Sequence, residues 1–248
     1  MVTSARTVRM LAWALVALSI VSAALTVFFT FGIVVPPPPP PMDDFIQGLE
    51  ANRASDQAGF PYFFLRSLAT LGVFLVAAIL GTVLRAWARP TALRDAMTLL
   101  FVIGGSLGIA ANVVDIAVSN AATFGYCDCG FKAEELIAQD YALSIGWTAV
   151  NWLSIVAVTL TSIGVAIAGR LLDVSPAWRT LSYVIAVVVL LAVAVRVLAA
   201  FVFIAAFDPF QVSDLVIAFA AGILVPIWAI MLARGVDITP PEAELAAA

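Results

Sequence analysis

A chain of 248 residues that is 63% hydrophobic and only 11% charged is far from a soluble domain, which is nearer half apolar and a quarter charged. Its net charge of −4, with Lys132 as the one lysine, excludes the basic footprint of a nucleic-acid-binding protein. Histidine is absent, which removes the commonest metal and haem ligand and the commonest general acid–base. Walker A, GxSxG and HExxH patterns are absent too, so the sequence predicts no cofactor, no metal centre and no enzyme.

Apolar runs long enough for a ~30 Å hydrocarbon core predict six membrane helices, over residues 9–35, 62–86, 96–121, 141–169, 180–206 and 213–233. The expected fold is all-α, a polytopic six-helix bundle occupying residues 1–236 as one domain. The first run follows Arg6 and Arg9, as a signal peptide would, with cleavage near Ala24 as the alternative. Its apolar stretch is too long for a signal-peptide core, so it reads as a retained helix. Ser19, Ser22, Thr26 and Thr30 form a hydroxyl stripe along it.

An outside loop over 36–61 follows. Pro36 to Pro41 reads as a polyproline II spacer that stops the first helix,. Asp43–Asn52 reads as a short interfacial helix. The second membrane helix carries Arg66, Thr70, Ala77 and Gly81 on one face. Arg85, Arg89 and Arg94 mark the turn after it. The third presents Gly104, Gly108, Asn112, Asp115 and Ser119 on one stripe, with Gly104-xxx-Gly108 the small-residue spacing that lets helices approach. The second outside loop, 122–140, holds Cys127 and Cys129. An oxidising face favours a disulfide there, within or between chains. Ala133–Gln139 reads as a short helix leading into the fourth span, whose stripe is Ser144, Thr148, Asn151, Thr159 and Ser162. Arg196 interrupts the fifth span; Asp214 opens the sixth, where Gly222 and Pro226 are expected to kink the helix,.

With six spans, Arg6, Arg9, Arg85, Arg89, Arg94, Arg170, Arg179 and Arg234 fall on one side, against Arg53 and Lys132 on the other. The positive-inside rule makes the arginine side cytoplasmic, with both termini and a short acidic tail over 237–248. Arginine in place of lysine reads as a bacterial plasma-membrane protein.

A charge inside a membrane span costs several kcal/mol unless paired or hydrated, so it marks a candidate site. Counting ~1.5 Å per residue, Arg66 and Asp115 are expected roughly 6 and 9 Å inside the outer boundary, as an interhelical pair. Asn112, Asn151 and Arg196 are expected at roughly 13 to 18 Å on the same count, near the midplane, with Asp214 at the outer surface. Two buried arginines against one buried aspartate leave a surplus positive charge. The expected ligand site is therefore Arg196, Asn112 and Asn151, binding or transporting a small anionic solute or lipid headgroup, with Arg66, Asp115 and Asp214 as an ion-pair gate. The other reading is an accessory subunit, in which Arg196 meets an acid of a partner membrane protein.

Overall fold

The computed structural model describes residues 5–30, 32–33, 45–124, 133–201 and 209–235. The polyproline run, Cys127, Cys129, Lys132 and the tail lie outside them, so the expected spacer and disulfide do too. The described residues form helices with short turns and no strand. They are α1 (Ala5–Thr30), α2 (Phe45–Leu84), α3 (Ala92–Phe124), α4 (Ala133–Leu171), α5 (Pro176–Phe201), α6 (Pro209–Phe219) and α7 (Val225–Gly235), the last two joined by a π-helical turn over Ala220–Leu224. Six stretches are long and apolar enough to cross a membrane: Ala5–Phe28, Gln57–Leu84, Ala92–Thr123, Ile137–Leu171, Pro176–Leu198 and Val212–Gly235.

The helix ends differ from expectation for identifiable reasons. α1 stops at Thr30, before the prolines. Gly32 takes φ 63°, and the Ile33 N–H donates to the Phe28 carbonyl at 2.9 Å, a glycine-terminated cap. α2 is one continuous helix from Phe45 through Pro61, which corrects the expected loop over its described part, 45–61, and the separateness of its short helix. Pro61 removes one N–H donor and strains one turn, but the helix continues on both sides. Ala133–Gln139 is likewise the first part of α4, so the loop expected over 122–140 is largely helical at its end. α5 begins at Pro176, four residues earlier than expected from hydropathy. Ser175 Oγ accepts the Trp178 N–H at 3.1 Å, and proline at the first helical position wastes no donor. In the sixth span the Val225 N–H reaches back five residues to the Ala220 carbonyl. Pro226 has no N–H and crowds the carbonyl four residues before it, and the wide turn makes room.

The helices close into an antiparallel ring. Each packs on the next in sequence, and α7 with the π-turn returns to α1. Small residues set the closest approaches. A Cβ added to Gly105 would stand 2.6 Å from Ala78 Cβ and 2.8 Å from the Phe74 carbonyl of α2, and one on Gly104 would stand 3.0 Å from the Ala157 carbonyl of α4. Gly222 approaches Ala23 as closely, 2.6 Å for its added Cβ.

The arginine-rich end of the ring is sealed. Trp178 and Trp228 stack at 5.1 Å between centroids and are completely buried with Met97, Leu84 and Leu232. Trp178 Nε1 donates to the Trp228 carbonyl at 3.0 Å, Trp228 Nε1 to Ser182 Oγ at 2.8 Å, and Ser182 to the Trp178 carbonyl at 2.9 Å. Every polar atom of the pair is thus satisfied without water, as burial demands. Outside this floor, Arg85 pairs with Asp95 at 2.8 Å, and Arg89 and Arg179 converge on Asp173.

Candidate functional site

Above the floor the ring encloses a cavity of about 850 Å³, inside the usual size range of ligand pockets. All six predicted site residues, Arg66, Asn112, Asp115, Asn151, Arg196 and Asp214, line it. They come from α2, α3, α4, α5 and α6.

On one side, Arg66 Nη2 lies 3.3 Å from Asp115 Oδ2, as the sequence predicts. The same carboxylate oxygen accepts from Ser67 Oγ. Asp115 is 4% exposed, so it is a charge withdrawn from water and held by a guanidinium and a hydroxyl. Arg66 also lies over the Phe63 ring, 5.3 Å from its centroid, a cation–π contact that holds the guanidinium over an apolar surface. Thr70 donates to the Arg66 carbonyl at 2.8 Å, so Ser22 of α1 is the donor in its 2.7 Å bond to Thr70. Three helices are tied together here.

On the other side, Arg196 donates through Nη1 to Asp214 Oδ1 and through Nη2 to Asn151 Oδ1. The Arg196 side chain is 11% exposed and that of Asp214 48%. This corrects the surplus positive charge: Asp214 neutralises Arg196 as Asp115 neutralises Arg66. Asn112 donates to its own helix, to the Gly108 carbonyl at 2.7 Å, and lines the cavity. The six residues therefore offer two separate ion pairs, both signs of charge, with two carboxamides.

At ~1.5 Å per residue, Asn151 stands ~28 Å from Arg170 along α4, Arg196 ~26 Å from Arg179 along α5, Asp115 ~32 Å from Arg94 along α3, and Asp214 ~30 Å from Arg234. Arg66 is ~28 Å from Arg85 on the same measure. These separations match a ~30 Å hydrocarbon core. Arg196 and Asp214 stand near the end of the span Pro176–Leu198 and the start of the span Val212–Gly235, while Asn112 and Asn151 fall well inside Ala92–Thr123 and Ile137–Leu171. The fifth helix begins at Pro176 rather than at residue 180, which lengthens the helical run between the arginine end and Arg196.

Below this ring the walls become apolar: Phe74, Ile155, Val158, Val165, Ile185 and Val189 line the shaft. Thr161 and Ser162 line it too, but their hydroxyls donate to the Ala157 and Thr159 carbonyls of their own helix. Ser19 differs. It is fully buried at the cavity wall, and its hydroxyl has no partner among the described residues.

Ser67 was not among the predicted site residues. Its only sequence signal is its place beside Arg66 in a span, one step around the helix toward α3. No known protein family, curated protein or solved structure matches this chain, which leaves the chemistry of the site as the guide to function.

Proposed function

We propose that this is a non-enzymatic plasma-membrane protein of bacterial type, with both termini cytoplasmic, whose outward-facing cavity binds or transports a small molecule with a charged head. The observation that carries the reading is the pair of ion pairs at the mouth of a blind, 850 Å³ cavity. Arginines crowd the sealed end of the ring, and the positive-inside rule then turns the open end outward. Two guanidiniums and two carboxylates around one mouth suit a head that carries both signs, such as a zwitterionic lipid headgroup, better than a simple anion. An anionic group would exchange onto Arg196, whose carboxylate partner is half exposed and easily rehydrated.

Native mass spectrometry of the protein released gently from its membrane tests this. A retained small adduct is expected, and Arg196→Gln should lose it. Arg89→Gln, in an exposed ion pair at the other end, should keep it. Retention by Arg196→Gln in a folded protein would refute the site.

One observation favours the accessory-subunit reading. Tyr141 and Ile145 of α4 are 70% and 72% exposed and lie roughly 15 and 9 Å from Asn151 toward the start of the helix. Exposed one turn apart on the same helix face, they would suit a partner protein. A stoichiometric partner that co-purifies, and is lost in Tyr141→Asp with Ile145→Asp, would support that reading.

A further inference from the structure

Resting on the outward-facing site just proposed, we infer that its ligand is a single-chain zwitterionic amphiphile, with its head among the two ion pairs and its hydrocarbon chain in the shaft. The mouth lies at the level where a lipid head sits, one hydrocarbon thickness from the arginine end. From there the shaft descends alongside the acyl layer, from Asn151 to Val165, about 21 Å at the helical rise. Val165 and Ile185 at its lower end are 7% and 2% exposed, and the tryptophan floor closes it. A free solute would leave this apolar depth unfilled.

The cavity, about 850 Å³, lies in the size range of pockets that take one drug-sized ligand, which suits one chain and its head better than a two-chain lipid.

The test uses the full-length protein exchanged from detergent into an amphipathic polymer, with binding read by native mass spectrometry. Probes are lysophosphocholines of rising acyl length, glycerophosphocholine as the head alone, and a diacyl phosphatidylcholine. Affinity should rise by roughly fourfold per added methylene until the chain fills the shaft, then level off. Val165→Trp should move that plateau to shorter chains and leave the shortest probe unaffected; Val158→Phe serves the same purpose should the tryptophan variant unfold. Alkyl sulfates and alkyltrimethylammonium ions of equal length should bind at least about tenfold more weakly than the zwitterion, the equivalent of one decade in Kd.

Binding of glycerophosphocholine with no dependence on chain length would overturn this inference and leave the outward-facing site standing. Equal binding of the diacyl lipid, or an unmoved plateau in the shaft variants, would overturn it as well. Failure of every probe, the head alone included, on a folded protein would remove both.

Discussion

The two arginines at the mouth are alike in charge and unlike in consequence. Arg66→Gln strips a buried carboxylate of its counter-charge, because Asp115 is 4% exposed and keeps only Ser67. Breaking a buried pair in this way costs about 3–5 kcal/mol. Arg196→Gln leaves Asp214 half exposed, so solvent compensates the orphaned carboxylate and the cost is smaller. Thermal unfolding in one detergent should therefore show a far larger fall in Tm for Arg66→Gln; equal falls would mean that Asp115 is hydrated. The Arg66–Asp115 pair was legible in the sequence because both residues interrupt apolar runs near the same end of adjacent helices. The Arg196–Asp214 pair was not. Its recognition needs the start of α5, fixed by Ser175 and Pro176 rather than by hydropathy, and the rotation of α6, fixed by the π-turn.

At the scale of the helix, the glycines divide by what surrounds them. Gly48, in the part of α2 before Pro61, has nothing within 4 Å of an added Cβ. Alanine there removes backbone freedom from the unfolded chain and should stabilise by about 0.5–1 kcal/mol. Gly105 faces the backbone of α2, and Gly105→Leu should destabilise by at least 1–3 kcal/mol through overpacking. Chemical unfolding of the two variants beside the parent checks both signs. Six spans could be read from run length alone, since a membrane imposes that length on any sequence. The ends could not. Polar segments such as Ser55–Gly59 look like loop by composition, yet continue α2 as helix.

Across the whole molecule the loop arginines gather at one end, with the Arg66–Asp115 and Arg196–Asp214 pairs about 26–32 Å away along their helices, and this gives orientation a direct test. In a Cys127→Ser, Cys129→Ser background, Ala138→Cys lies near the start of α4, at the end opposite the arginines, and Ala177→Cys lies beside them; both positions are exposed. A membrane-impermeant maleimide on intact cells should label Ala138→Cys and spare Ala177→Cys. The reverse pattern would invert the topology and close the cavity to the outside. The cavity itself was illegible. Periodicity tells which residues share a face of one helix, but the ring order, and hence which faces look at one another across an empty centre, arises from packing between helices.

The π-turn carries a consequence for how such a mouth arises and is lost. A π-turn holds one residue more than the α-helix it interrupts, and one residue is worth ~100° of rotation. Everything in the sixth span ahead of Ala220, Asp214 included, is phased by that single extra residue. A one-codon deletion there would swing the carboxylate to another azimuth while leaving hydropathy, charge and length almost unchanged. Descendants of one ancestral chain could thus gain or lose the Arg196 partner through an indel that no substitution count would register.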